Sequence, residues 1–227
     1  MQQQPKLALK YFAGLRSRGE LPRMIMAHTG LKYEEIPVTF KDWHFLKGST
    51  PTGSLPVLDV DGVEFGETNA IVRYLGKLTG LYPSDNLAAL KVDSVCNYVD
   101  FFHSDYSALM FPTRFLPAFK LKQPIRHPVA LSEKELKFFD THVPLVFNTL
   151  EQTLERSESG GLFYSGNNYT TADFWVLWIL KTLERNFKCH VRAHERYPKI
   201  HAMCTKLKHE PNLANYLAKR PHSRFNV

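Results

Sequence analysis

An α+β N-terminal unit followed by an all-α domain is the fold class the sequence predicts, and three observations carry it. Residues 57–60 and 63–65 are apolar or β-branched runs separated by Asp61-Gly62, a dipeptide that tolerates the positive φ angles of a tight hairpin. After Gly66 the apolar period changes from about two to about 3.6, and beyond Ala88 every long segment keeps that helical period. At 227 residues the chain is long enough for one large domain or two small ones, each with a packed core.

Taken in order, residues 6–12 alternate Leu7, Leu9 and Tyr11 with polar neighbours and predict a first strand. A loop follows from Gly14 to Gly19. Glu20-Leu21-Pro22-Arg23 then opens a helix, because proline is tolerated in a first turn. Leu21, Ile25 and either Met24 or His28 line one face of it, and Gly30 ends it. Residues 33–40 read as a second strand and 42–47 as a short irregular helix carrying Trp43, with a loop to Pro51.

Pro56 precedes the hairpin, where it has no ladder bond to donate and where a cis bond turns the backbone sharply, leaving Leu55 with free backbone groups. Past the hairpin, Ala70, Ile71, Tyr74, Leu75 and Leu78 fall on one side of a helix stopped by Gly80. Glu67 and Thr68 stand at its start, where unpaired N–H groups and the helix dipole favour a bound carboxylate. A strand-like edge beside an anion hole suits a small acidic peptide; the plainer reading is a strand start and a helix cap.

Strand, helix, strand, short helix, hairpin, helix is the thioredoxin-like arrangement. The sequence therefore predicts a thioredoxin-like domain over residues 1–81, a linker over 82–88 with Pro83, Ser84 and Asp85, and a helical domain over 89–227. Helices are expected over 88–110, 132–157, 171–187, 197–210 and 211–218. Pro112, Pro117, Pro124 and Pro128 make 111–128 a long loop, expected over a pocket. Thr170-Thr171-Ala172-Asp173 has the form of an N-capping box in front of an unusually apolar helix, with Trp175 and Trp178 as core residues.

Composition narrows the function classes. The start, Met-Gln-Gln-Gln-Pro, has no apolar signal core, and no later run reaches membrane-spanning length, so a cytoplasmic protein without a membrane partner is expected. Cys96, Cys189 and Cys204 form neither a metal pattern nor a Cys-x-x-Cys pair and read as buried or free thiols; no metal site is expected. The formal charge of +7 is scattered rather than clustered, which argues against nucleic acid as a partner while favouring anionic small ligands.

These residues jointly resemble the cytosolic glutathione transferases, most closely the sigma class that includes glutathione-dependent prostaglandin D synthase. The likeness spans both domains. It rests on Tyr11-Phe12 with Arg18-Gly19-Glu20, Asp42-Trp43 with Lys47, the run from Gly53 to Leu58, Glu67-Thr68, and the Thr170 to Asp173 box. The resemblance implies the glutathione transferase fold, glutathione as co-substrate with no further cofactor, a homodimer, and an apolar electrophilic second substrate.

It also assigns roles. Pro56 is implied to be cis and to present Leu55 to the cysteinyl backbone of glutathione; Glu67 and Thr68 receive the γ-glutamyl carboxylate. Trp43 and Lys47 meet the glycyl end. Tyr11 is implied as the catalytic residue, its phenol O–H stabilising a thiolate whose free pKa is about 8.5. The loop after Tyr11 has one residue more than the sigma pattern, so either Arg16 or Arg18 faces the sulfur. Asn97 stands where the family has an aspartate that reaches across the dimer, and Thr52 where it often has an aromatic key. Asp93, Asn97 and Asp100 share one helix, facing a partner subunit or a cation.

Phe12, Phe102, Tyr106 and Met110 suit a pocket for the second substrate, and the same spacing suits a helix core. The implied activity is conjugation of the glutathione thiolate to apolar electrophiles, a transferase acting in detoxification. A glutathione-dependent isomerase needs only the same thiolate, and a non-catalytic structural member of the fold is a third reading.

Overall fold

The computed structural model describes residues 4–111, 131–157 and 162–220. Four strands form one sheet in the order β2-β1-β3-β4: β1 (Leu7–Phe12), β2 (Glu34–Val38), β3 (Val57–Val60) and β4 (Val63–Phe65). β1 pairs parallel with β2 and antiparallel with β3. The hairpin falls where the sequence puts it, with Asp61 at φ 53° and Gly62 at φ 90°, the positive pair that matches the right-handed twist of the flanking strands. Burial alternates strictly along β1, so Leu7, Leu9 and Tyr11 face the core while Ala8, Lys10 and Phe12 lie on the other side.

Helix α1 (Glu20–Thr29) buries Leu21, Met24 and Ile25 and ends at Gly30, φ 71°. A short α2 (Phe40–Leu46) buries none of its residues. α3 (Thr68–Thr79) ends at Gly80, φ 77°. Its buried stripe is Thr68, Ile71, Val72, Leu75 and Gly76; of the side predicted from periodicity, Ala70, Tyr74 and Leu78 are exposed. The helix has apolar residues on more than one face, and Gly76 wins the inward position because a Cβ there would stand 2.5 Å from Thr171 Cγ2 in the helical domain.

The helical part begins with α4 (Asn86–Met110), capped by Asp85, which accepts from the Ala88 N–H at 2.8 Å. The expected loop over 111–128 lies, apart from Phe111, outside the described residues. The single helix expected over 132–157 is α5 (Glu133–Lys137), a π turn over Phe138–His142 and α6 (Val143–Glu155). Pro144 accounts for the interruption: it has no N–H for the preceding turn, and a one-residue widening relieves its ring. A capping box between Ser132 and Glu135 starts α5, a signal present in the sequence as Ser-x-x-Glu.

α7 (Thr171–Val191) breaks at its expected end, where Phe187 is off helical geometry at φ −145°, ψ 38°, and helical turns resume beyond that kink to Val191. Trp175 and Trp178 are 0% and 2% exposed, so α7 is the axis of the helical core. α8 (Ala193–Arg196), α9 (Pro198–Lys208) and α10 (Pro211–Lys219) complete the fold. Cys96 and Cys204 are buried thiols; the Cys189 side chain is outside the described set.

The start of α7 shows how one carboxylate holds several groups. Asp173 is fully buried, and its carboxylate accepts from the Thr170 N–H at 2.7 Å, the Thr170 hydroxyl at 2.9 Å and the Tyr164 N–H at 3.1 Å. Thr171 N–H reaches back to Leu81 O at 2.9 Å, tying this cap to the end of α3. Asp173→Ala leaves buried donors without acceptors and is expected to lower stability by about 1–3 kcal/mol, measured by chemical denaturation. Wild-type stability in that variant would show that the box carries no load.

Candidate active site

The strand register gathers the predicted site residues at one end of the sheet. β1 and β2 both finish there, with Phe12 opposite Val38. β3 begins beside Lys10, opposite Val57, so Leu55 and Pro56 lie next to Tyr11 and Phe12. β4 runs back to the same end, delivering Gly66, Glu67 and Thr68, and α2 leaves β2 from it, delivering Trp43 and Lys47. The Leu55-Pro56 bond is cis. Close packing fixes one point of the loop between them: a Cβ on Gly66 would stand 2.5 Å from Thr52 Oγ1.

Glu67 is the N-cap of α3 at φ 67°, ψ 113°, and its side chain makes no capping bond. A non-glycine residue in this region costs about 1–3 kcal/mol and marks functional sites. The first-turn N–H groups are thus left to an external acceptor, with Thr68 buried beside them. Lys47 is exposed, Trp43 and Leu55 are half-buried, and Pro56 is buried.

Tyr11 is 4% exposed. Its ring lies against Gly19, where an added Cβ would be 2.4 Å from Cγ, and the Arg23 guanidinium stands 5.5 Å from the ring centroid. Burial raises the pKa of the phenol, opposed by the Ser17 hydroxyl, the Arg23 charge, the Gly19 N–H and the Arg18 charge. Its pKa lies above the usual 10, so Tyr11 keeps its proton through the neutral range. The Ser17 side chain and the Gly19 backbone stand beside the phenol oxygen, and a phenol that keeps its proton is able to donate to an anion.

The loop after Tyr11 opens with a tight turn. Leu15 N–H bonds Phe12 O at 3.1 Å around Gly14 at φ 72°. From the helical domain, Trp178 Nε1 donates to Ser17 O at 2.9 Å. Of Arg16 and Arg18, Arg18 is the one whose charge acts on the phenol, and its guanidinium is held by Asp100 and by Ser104 Oγ, the latter at 3.0 Å. Asp100 also accepts from Asn69 at 2.9 Å, linking α3 to α4. Arg16 instead turns toward Arg185, Arg220 and Glu20.

Asp93 is likewise engaged, by Arg73 at 3.1 Å and Tyr82 at 2.9 Å, which leaves the acidic row of α4 paired with cations of its own chain. Among the described residues no group of three His, Cys, Asp or Glu could hold a metal ion. Asn97 is exposed on the outer side of α4, in line with Leu87, Leu90 and Phe101.

The four residues expected in a second-substrate pocket are not brought together. Phe12, on the far side of β1 from Tyr11, stacks on Phe40 at 4.8 Å and meets Trp43 edge-on at 5.5 Å. Phe102, Tyr106 and Met110 are 1%, 1% and 0% exposed, packed with Phe138, Phe147 and Phe187. Their spacing of four places them on the inward stripe of α4, and they are core. Ser17 escaped the sequence reading, because a loop serine carries no local signal for a place beside Tyr11; Asp100, expected to face a partner subunit or a cation, holds Arg18 of its own chain.

Two family models match the chain: "Glutathione S-transferase, N-terminal domain" over residues 7–77 and "Glutathione S-transferase, C-terminal domain" over residues 123–220. The chain is 31% identical to glutathione S-transferase 1 of Ascaris suum over 224 residues, 97% of this chain and 100% of the other. It is 27% identical to S-crystallin SL11 of Nototodarus sloanii over 223 residues, again 97% and 100%. Among solved structures, rat hPGDS complexed with a quinoline superposes with a TM-score of 0.77 at 28% identity, covering 97% of this chain and 100% of that one.

The contact between Gly19 and Tyr11 is testable by adding one methyl group. Gly19→Ala is expected to cost about 1–3 kcal/mol through overpacking and to change the near-ultraviolet circular dichroism of the tyrosines. Gly48→Ala, where nothing lies within 4 Å of the new carbon, is the matched control. Equal stability of the two variants would contradict the close packing.

Proposed function

The chain belongs to the glutathione S-transferase family, and from that premise we propose that it conjugates glutathione to electrophiles through a thiolate stabilised by Tyr11. The observation that carries the proposal is the buried Tyr11 phenol, which keeps its proton, at the end of the sheet where Leu55, Glu67 and Thr68 also stand. Glutathione lies along that end. Leu55 pairs with its cysteinyl backbone, Thr68 and the first turn of α3 take the γ-glutamyl carboxylate, and Trp43 and Lys47 face the glycyl carboxylate. The sulfur then meets the Tyr11 O–H.

A thiol with pKa about 8.5 is a few per cent ionised at neutral pH. A hydrogen bond to a charged acceptor supplies about 1.5–3 kcal/mol, and each unit of pKa is worth about 1.4 kcal/mol. The donor must itself stay protonated, which the burial of Tyr11 secures. The thiolate attacks the electrophilic carbon, a C–S bond forms and the leaving group departs with its electron pair. No cofactor beyond the co-substrate takes part. An isomerase that regenerates glutathione begins from the same thiolate, and the likeness to rat hPGDS supports it as the second reading.

The working form is a homodimer. Val63 and Phe65 on β4, Tyr74 and Leu78 on α3, and Leu87, Leu90 and Phe101 on α4 are all exposed in the single chain, Phe101 at 68%. Such apolar residues on neighbouring elements are what a partner subunit covers, and Asn97 stands among them. Among the described residues no helix is long and apolar enough to cross a membrane.

Tyr11→Phe keeps the packed ring and removes the donor. Its kcat/KM for a chromogenic aryl halide is expected to fall ten- to a hundredfold at neutral pH and to recover as pH rises toward 9, where the thiol ionises unaided. Full activity at neutral pH would transfer the role to Arg18 or a loop N–H. By light scattering the protein is expected at twice its 26.2 kDa chain mass, with Phe101→Glu shifting it to monomer. A wild-type monomer at micromolar concentration would overturn the dimer.

A further inference from the structure

A pocket of about 330 Å³ lies beside the Tyr11 loop, between that loop, α7 and the end of α10. Its charged lining is Arg16, Lys181, Arg185 and Arg220 against Glu20 and Glu184, four cations to two carboxylates. One of the two is already committed: Glu20 is buried and held by Arg220, by Tyr216 Oη at 3.0 Å, and by Arg23 at 3.9 Å. Among the described residues Lys181 and Arg185 have no hydrogen-bond or ion-pair partner, although both are half-buried. Half-buried cations without partners are unusual, since removing them from water is offset only by a counter-charge.

Like charge is concentrated as well as unpaired. Burial first, then Arg16 and Arg220, press the Arg185 pKa down to about 10; burial, Lys208 and Arg220 lower Lys181. The rest of the lining is mixed, with Met24 and Trp178 offering apolar surface and Thr182 a hydroxyl. Ser17 closes one side, and the Ser17 hydroxyl addresses the Tyr11 phenol oxygen. The pocket therefore meets the Tyr11 phenol through Ser17, whereas the aromatic group on α4 is sealed in the core.

We propose that this pocket receives the second substrate and that the substrate is an organic anion, an electrophile with an apolar body and a carboxylate or similar group that pairs with Lys181 and Arg185. The assignment rests on the glutathione transferase reading for its chemistry and on the unpaired cations for its charge. Arg185 offers a planar fork to a carboxylate and Lys181 a second charge. For an aryl halide the step balances simply: the thiolate forms the C–S bond at the ring carbon, and chloride leaves with its electron pair.

The probes are 4-chloro-3,5-dinitrobenzoate and its methyl ester, which share reactive carbon and leaving group and differ in charge. Affinity is measured by calorimetry without glutathione, and KM with it. Wild type is expected to favour the acid over the ester by about tenfold or more in both, and Lys181→Gln/Arg185→Gln to erase the preference. Lys134→Gln/Lys137→Gln, on exposed positions of α5, removes the same net charge and should keep it. No preference in wild type, or a preference that survives in Lys181→Gln/Arg185→Gln, overturns the proposal. If neither halide is turned over, the transferase reading fails, and the calorimetric comparison still decides the pocket.

Discussion

The contact between Gly19 and the ring of Tyr11 constrains the site more than any charge does. With a Cβ position only 2.4 Å from the ring, the loop can lie flat on the phenol, and that closeness keeps Ser17 and Gly19 beside its oxygen. The ring cannot retreat, because it alternates into the core beside Leu7 and Leu9. Nor can the loop lift, because Trp178 holds the Ser17 carbonyl. Sheet, loop and helical core thus fix one phenol, and such preorganisation is what makes a single hydrogen bond effective in a site that water leaves.

The same loop joins the two halves of the chain electrostatically. On one side Arg18 reaches Asp100, which also holds Asn69, so α3, α4 and the loop share a carboxylate. On the other, Glu20 gathers Arg220 and Tyr216 from the C-terminal helix region. Arg16 and Arg18 stand two residues apart yet face opposite environments, one an acidic helix and the other a basic pocket. The number of arginines in the loop says little; what each is packed against decides its role.

Much of this was legible in the residues. Asp61-Gly62 between two short apolar runs admits one turn, and Gly30 and Gly80 end helices in the left-handed conformation that side chains resist. The gathering of Leu55, Pro56, Glu67 and Thr68 at one sheet end follows from hairpin topology. Periodicity leaves open what packing settles: Tyr74 and Leu78 share one side of α3 with Ile71 and Leu75 yet are exposed, and Phe102, Tyr106 and Met110, whose spacing suits either a pocket or a helix core, are core. The π turn ahead of Pro144 and the convergence on Tyr11 depend on contacts between segments far apart in the chain, which no local pattern encodes.

The central claim is that the Tyr11 hydroxyl makes the bound thiol more acidic. It is tested most directly by titrating the ultraviolet absorbance of the glutathione thiolate bound to wild type and to Tyr11→Phe. A donated hydrogen bond worth about 1.5–3 kcal/mol predicts a wild-type midpoint about one to two pH units below that of the variant. Coincident midpoints would contradict the account, because the thiolate would then owe its stability to a group other than this phenol.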